Sequence, residues 1–555
     1  MNHLMVRCRR ISSGTISRQL LRKLPSVVVT RRTFTAGSAS GERLRVAVVG
    51  GGAAGLSSAL HMAPLVTAGL INGPIDVYEA SQATGRKIGV GIWSTALEPF
   101  QFSEQDSHQL LYRDMVQHGT WIRDVGYRSP KGHWLAESSL EDETLPGLLF
   151  LREIDMLSSL RKAAHLEEQK GTIQFHAGKS FGVTQIYEES MDPFAAPLVL
   201  TGKSADEQAP TTPRDYHLIV AADGMNSVLR KTYGGHLGNR KHLTGTTSLQ
   251  SPLELPDRKV ETDPWDVLGQ AEATSTQDRM YTVFRGNSLI KADEIGNVND
   301  NKSFQTWGER NSMRFATVPM RYPDPNDASK ESCERHVWFV TTDDKDIIQE
   351  TDPERRKELL LDLMKDWHYP IHDIIDKTPA EDVLMERAMA HKHSMGPVLN
   401  FNKVVKKIRN HPPPSSGHGP TIVFMGDAFM TVDPILAQGF TLGMEGAANL
   451  GLSLKDIIQI PPNPRYPKLA FDPIRMRQEL QTRHEKRLDR VVCMLRATEI
   501  VQALGQPSTG TLSGMISRSI LRPIMRFTPG FIKTPFFNAM LKYSLGTHLK
   551  NEKDR

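Results

Sequence analysis

Three runs of aliphatic and β-branched residues, at 44–49, 217–222 and 421–425, each end on a glycine or an aspartate–glycine pair. Apolar runs this short, unbroken by polar positions and closed by turn residues, predict strands buried on both faces of a parallel sheet. A fourth strand is predicted at 75–79. Small and apolar residues at 56–62 and 444–450 predict helices, and helical spacing recurs at 354–367 and 472–504. Between the second and third runs the pattern changes. Residues 280–284, 313–318 and 337–340 are β-branched and aromatic with turn residues between them, which predicts a mixed sheet. Residues 204–213 and 411–419 read as loops, the second approached by Lys403, Lys406, Lys407 and Arg409. No internal repeat is evident.

The chain has 555 residues, enough for two to four domains at ~100–200 residues each. Its three cysteines (Cys8, Cys333, Cys493) are too few and too scattered for a disulfide framework or a cysteine-built metal site. The +5 net charge is unevenly placed. Residues 1–41 hold eight Lys/Arg and no acid, leaving 60 basic against 63 acidic residues in the remainder. In the leader, Ile16, Leu20, Leu21 and Leu24 share a helical face away from Arg18 and Arg22. A leader of this kind, rich in Arg and Ser, reads as an organellar presequence, mitochondrial ahead of plastid, with cleavage near Phe34. Residues 501–551 also lack acids and carry six Lys/Arg among apolar residues, a basic amphipathic tail suited to peripheral contact with an anionic membrane. The mildly acidic body carries no aromatic–basic motif for nucleic acid.

The first run leads into Gly50-Gly51-Gly52-Ala53-Ala54-Gly55 and then a helix, the G-x-G-x-x-G spacing in its strand–turn–helix setting. Gly50 permits the tight turn, Gly52 lets a pyrophosphate approach the backbone, and Gly55 lets helix and strand pack closely. The helix start then offers N–H groups and a positive dipole end to phosphate. Glu79 closes the second strand, placed to accept hydrogen bonds from a ribose, although it arrives later than the usual ~20 residues past the motif. This is a dinucleotide-binding unit. No H-E-x-x-H or G-x-S-x-G occurs, no metal site is expected, and His391 and His393 flanking Lys392 read as exposed loop histidines.

Two distant segments bear on which dinucleotide. Residues 217–230 form a strand that ends in Asp223-Gly224 and closes with Ser227 and Arg230; residues 421–428 form another that ends in Gly426-Asp427-Ala428. With these, the sequence resembles the FAD-dependent aromatic hydroxylase family, the single-component group A flavoprotein monooxygenases of the FAD-binding monooxygenase superfamily. The likeness extends over roughly residues 44–500. Gly85-Arg86 before Gly89-Val90-Gly91-Ile92 resembles that family's arginine loop and turn. Residues 151–157 resemble its arginine-bearing helix, Arg152 reaching the flavin phosphates. Trp307-Gly308, Arg314-Phe315, Val318-Pro319 and 337–339 resemble its substrate sheet, and Pro434, Gln438, Gly439 and the helix through Leu450 resemble the segment beneath the flavin ring.

The resemblance implies an α/β fold. A Rossmann-type FAD-binding domain (42–235 and 415–460) is interleaved with a mixed-β substrate domain (236–414), and a helical C-terminal part (461–555) follows. It implies non-covalent FAD held by Gly50, Gly52, Ala53, Ala54, Gly55, Glu79, Arg86, Arg152, Asp223, Gly224, Gly426, Asp427, Gln438 and Gly439. Asp427 would take the ribitol side. NAD(P)H, without a Rossmann domain of its own, would reduce the flavin and leave; O2 would then form a C4a-hydroperoxide that hydroxylates a small aromatic substrate. A reductase or dehydrogenase on the same fold, or a non-catalytic flavin-binding protein, is the alternative. No catalytic base is identified; Tyr281 and Arg285 are pocket candidates. The chain departs from the family pattern at Phe429-Met430, where a small residue and a histidine are usual, at Ala437 for glycine, and at Gly446 for aspartate. Phe429 is expected beside the flavin, reshaping the pocket, and Ala437 alters the turn at the flavin's pyrimidine edge.

Overall fold

The computed structural model describes residues 41–80, 85–141, 145–177, 182–186, 194–195, 198–201, 214–233, 276–290, 302–308, 313–322, 333–391, 398–400, 419–433, 436–459, 464–505, 516, 519–520 and 522–546. Of the expected presequence (1–41) all but Gly41, the expected loop at 204–213, all but Gly419 of that expected at 411–419, the basic residues at 403–409, Lys392, His393 and Pro434 lie outside them. Val46–Val49 lies within a six-stranded sheet. The spatial order is Val398–Asn400, Thr421–Phe424, Leu218–Ala221, Val46–Val49, Ile75–Glu79, Ile173–Ala177. All neighbours run parallel except Val398–Asn400. Every residue of Val46–Val49, Leu218–Ala221 and Thr421–Phe424 is buried, which is why these segments read as unbroken apolar runs. Val49 lies opposite Ala221, and Ala221 opposite Phe424. The three chains therefore leave the sheet at one edge, and Gly50, Asp223 and Gly426-Asp427 follow there.

Helix Ala53–Thr67 joins the first two strands and packs on helix Gly439–Ile458. Small residues set that approach: a Cβ placed on Gly451 would stand 2.8 Å from the Cβ of His61, and one on Gly443 3.2 Å from that of Ala54. Helix Glu153–Gln169 packs on Ala53–Thr67 and on Asp106–His118. Leu56, Leu60, Leu160, Met444 and Leu454 fill the core between these helices and the sheet.

The second large sheet has seven strands, in the order Leu384–His391, Thr276–Ile290, Cys333–Thr342, Arg314–Tyr322, Lys302–Trp307, Asp124–Arg128, Trp134–Ser139. It is antiparallel except where Lys302–Trp307 meets Asp124–Arg128. On one face Phe284, Phe304, Phe315 and Trp338 are buried with Leu360, Met364, Ile371 and Ile374 of helices Pro353–Met364 and Ile371–Asp376. On the other, Tyr127, Trp307, Val318 and Val337 cluster with Phe537 and Leu541 of the C-terminal helix Gly530–Ser544. The architecture is thus the expected α/β one: a Rossmann-like parallel sheet, a mixed-β region and a helical C-terminal segment led by Pro473–Gly505.

Three local expectations are corrected. Residues 151–152 end a strand, Leu148–Arg152, and the helix begins only at Glu153, because the apolar run 148–151 is buried in a small three-stranded sheet. Gly89-Val90-Gly91-Ile92 is also strand, within Gly89–Trp93. Its glycines serve close approach rather than a turn: a Cβ at Gly89 would fall 2.4 Å from the Val337 side chain, and one at Gly91 2.7 Å from the Phe150 ring. His391 ends a strand, paired with Thr276, instead of lying in a loop.

Candidate functional site

The glycine turn is held by its own backbone. Gly50 has φ +109°, and a Cβ there would sit 2.2 Å from the carbonyl oxygen of Ala222. A Cβ on Gly55 would sit 1.9 Å from the carbonyl oxygen of Gly50. Both positions exclude any side chain by contact with main chain, which cannot swing away. Gly52 is the opposite case: no protein atom lies within 4 Å of where its Cβ would be. It is the N-cap of Ala53–Thr67, and that helix start has no side-chain cap and no acid in its first turn. An open face over an uncapped helix start is a ready anion site. Glu79 reaches back across the turn, its Oε2 accepting from Gly51 N at 2.6 Å.

The other two strand ends supply carboxylates. Asp223 Oδ2 accepts from the backbone N–H of Val228 at 2.8 Å, while its Oδ1 is buried without a partner among the described residues. Burial raises its pKa, against the hydrogen bond from Ser227 and the backbone N–H groups of its own turn. Gly224 beside it has φ +78° and open space where a Cβ would stand. Gly426 has φ +55°, and a Cβ there would be 2.8 Å from that of Ala54, so this turn rests on the first turn of the glycine-motif helix. Arg230 binds the two motifs together. Almost wholly buried, it donates to the carbonyl oxygens of Ala428 (3.2 Å) and Phe429, and burial lowers its pKa to about 10. The sequence marked Arg230 only as the end of a motif; its contact with the third strand end needed the fold.

Asp427 opens onto a cleft of 890 Å³ lined also by Arg86, Phe150, Arg285, Phe339 and Phe440. No described group hydrogen-bonds to its carboxylate. Although open to the cleft, the carboxyl lies deep among protein atoms. Loss of solvation pushes its pKa up to about 6, with Arg86 pulling the other way and Glu153 adding to the rise. Arg86 is clamped by Glu153 (Nε to Oε2, 2.8 Å) and by Glu386, and Glu386 also holds Arg285 at 2.9 Å. Arg152 forms a two-bond pair with Asp155, at 2.6 and 2.9 Å. Gly439 and Ala437 line the cleft, and helix Gly439–Ile458 starts there with neither a side-chain cap nor an acid in its first turn. Ala437 has φ +50°, the left-handed conformation that glycine adopts more easily.

Not every expected residue turns toward the cleft. Gln438 is buried, its amide engaged by Arg490 (2.9 Å) and Ser544 (3.4 Å), so its side chain ties down the C-terminal helix. Phe429 does not line the cleft. It packs against the buried clusters around Phe424 and around Val491 and lines a smaller adjoining pocket with Gly426, Val432 and Gly439. The Tyr281 hydroxyl donates to both oxygens of Asp433 at 2.9 Å.

A second cavity of 620 Å³ adjoins the cleft and shares Phe150, Val318, Phe339 and Ala437 with it; Tyr127, Gln305, Phe537 and Leu541 also line it. Arg314 lies on the strand that supplies Ala316 and Val318 to this wall, on the same face by the two-residue alternation of strands. It is 1% exposed, and its Nε and Nη1 have no partner among the described residues. Its guanidinium stands 5.5 Å from the ring of Phe339 and 5.7 Å from that of Tyr281. In the sequence Arg314 stands out only as a charge at the start of a segment that resembles the substrate sheet. Among the described residues no cluster of metal-ligating side chains occurs.

No family model matches the sequence, and no curated protein matches it. Solved structures do resemble it in fold. HpxO of Klebsiella pneumoniae, complexed with FAD and uric acid, is 15% identical with a TM-score of 0.57, over 90% of this chain and 97% of that one. CtdE in complex with FAD and substrate is 13% identical with a TM-score of 0.55, over 92% and 98%. The 2,6-dihydroxypyridine-3-hydroxylase of Arthrobacter nicotinovorans is 14% identical with a TM-score of 0.51, over 85% and 96%. At these identities the likeness establishes the fold alone: a Rossmann-like parallel sheet joined to a mixed β-sheet.

Proposed function

We propose that this chain is a FAD-dependent monooxygenase that uses NAD(P)H and O2 to hydroxylate a small aromatic substrate. The observation that carries the reading is the open face at Gly52, on the same sheet edge as the buried, unpartnered Oδ1 of Asp223 and the cleft-facing carboxylate of Asp427. A fold with no ligand to hold would have little reason to leave a buried carboxylate oxygen unpaired beside an uncapped helix start. The fit to FAD is direct. Gly50, Gly52 and the first N–H groups of Ala53–Thr67 would receive the pyrophosphate, with Gly55 packing the turn, and Glu79 would receive the adenosine ribose. Asp427 would accept from the ribitol hydroxyls, and the Gly439 helix start would face the polar edge of the ring system. Arg86 and Arg152, paired with acids in this structure, would supply positive charge toward the phosphates.

When bound, the flavin supplies hydride acceptance and O2 activation. The reaction balances as one NAD(P)H, one proton, one O2 and one aromatic C–H giving NAD(P)+, water and a phenol. The chain's own contribution is positioning and exclusion of water. The 620 Å³ cavity presents Tyr127, Phe150, Phe339 and Phe537 to a ring, and the buried guanidinium of Arg314 suits a phenolate or carboxylate substituent. On this reading residues 42–235 and 415–460 carry the cofactor around the substrate region 236–414, and residues 1–41 direct import into an organelle, the mitochondrion ahead of the plastid. The test is to purify the protein and screen phenols and aromatic acids for stimulation of NAD(P)H oxidation. Stimulated oxidation coupled to an oxygenated product is expected. Oxidation that proceeds without O2 would replace this reading with a reductase.

A further inference from the structure

Far from the glycine turn, the C-terminal segment presents a surface that folding alone does not explain. Among the described residues fifteen large hydrophobic side chains are exposed, and seven of them fall within residues 516–536. Scattered exposed apolar residues are ordinary, but a concentration marks a contact surface. Phe527, Phe531 and Phe536 are the most exposed of all, at 76%, 78% and 72%, with Ile520, Ile524 and Ile532 beside them in sequence.

The segment is nonetheless fixed to the body. Helix Gly530–Ser544 buries Phe537 and Leu541, and Phe537 meets the Tyr127 ring at 5.2 Å. Lys533 Nζ donates to Trp134 O at 3.1 Å, Thr534 Oγ1 to Glu137 O at 3.2 Å, and Ser138 Oγ to Asn538 at 2.5 Å. One face of the helix is thus held by seven-sheet strand Trp134–Ser139 while Phe531, Ile532 and Phe536 point away from it. Charge decides what the bare side meets. Residues 501–551 contain six Lys/Arg and no Asp or Glu, so an anionic surface is the complementary partner. Among the described residues no helix is long and apolar enough to cross a membrane.

We infer that the exposed face formed by Ile524, Phe527, Phe531, Ile532 and Phe536 docks this protein on an anionic membrane surface. The phenylalanines enter the interfacial layer, and the acid-free, basic composition of 501–551 favours the anionic headgroups. The buried side of the same helix gives Phe537 and Leu541 to the wall of the 620 Å³ cavity, so docking places that wall directly behind the lipid-facing helix. The inference does not depend on the flavin reading. Its test is co-sedimentation of the full chain with phosphatidylcholine vesicles containing about one-third phosphatidylglycerol, and with phosphatidylcholine alone. The leader is basic too, so the informative comparison is with Phe527→Asp/Phe531→Asp/Phe536→Asp, which leaves the leader intact. The triple variant should partition roughly tenfold or more weakly onto the mixed vesicles, with an unchanged melting temperature, and the wild type should release at high salt. Equal partitioning of variant and wild type would overturn the inference. So would a dimer in sedimentation velocity that the variant dissociates while wild type ignores vesicles, since a second copy would then cover the face.

Discussion

The two ends of the cleft are built from different materials. At the glycine turn the main chain itself makes the site. Gly50 and Gly55 have no room for a methyl group, Gly52 has nothing but room, and a helix start stands uncapped beneath them. At the Asp427 end the site is made of side chains held by distant segments. Arg230 pins the turn after Asp427 from below, Glu153 and Glu386 clamp Arg86, and Gln438 is turned away to hold the C-terminal helix. At the glycine turn the backbone admits only glycine at Gly50 and Gly55. A side-chain site can exchange partners; Ala437 keeps the left-handed φ of +50° where the resembled pattern has glycine.

Substitutions at the two ends should separate accordingly. The largest effect is expected at Gly55→Ala, whose methyl group would meet the Gly50 carbonyl at 1.9 Å. A loss of about 3 kcal/mol or more in denaturant unfolding is expected, and a tolerated methyl would show that the turn is not main-chain limited. Next, Arg314→Met should raise the KM for an acidic substrate by about tenfold or more, equivalent to a charged hydrogen bond of ~1.5–3 kcal/mol, without changing FAD affinity. Steady-state kinetics with and without the acidic substituent would check this.

Asp427→Ala should weaken FAD by about 1–3 kcal/mol in a binding titration. The same carboxyl predicts a pH dependence. With a pKa of about 6, its neutral form favours the cofactor-free protein below the unfolded carboxyl range, and that contribution is lost as pH rises through 6. Binding runs the other way, because the ionised form is the better acceptor for hydroxyl donors. FAD affinity should fall about tenfold from pH 7 to pH 5, and Asp427→Asn should flatten the profile. The smallest effect is at Ala437→Gly. Relief of a left-handed alanine, set against the added freedom of glycine when unfolded, leaves a gain of about 0.5 kcal/mol, readable as a slightly higher melting temperature.

How much of this was legible beforehand follows the same division. Residues 44–49, 217–222 and 421–425 were readable as strands because burial on both faces leaves no polar positions to confuse the period. Gly50, Gly52 and Gly55 were readable because each does something only glycine does. The Arg152 segment misled, since an apolar strand running straight into a helix has no punctuation between them. Gly89 and Gly91 suggested a turn, and only the neighbouring Val337 and Phe150 side chains reveal why glycine is there. Strands Asp124–Arg128 and Trp134–Ser139 belong to a sheet whose other members lie more than a hundred residues on, a pairing no local pattern encodes. Arg314 and Arg230 needed the same long-range placement before either had a role.

The central claim is that the open face at Gly52 is where a dinucleotide lies, and one substitution isolates it. A Cβ there meets no protein atom within 4 Å, so Gly52→Val should stay folded, losing only the ~1 kcal/mol of a poorer N-cap. FAD titrated into wild type should bind with the visible spectrum of a protein-held flavin, and the valine variant should bind none. A wild type that stays colourless, or a Gly52→Val protein that takes up FAD as tightly as wild type, would contradict the account.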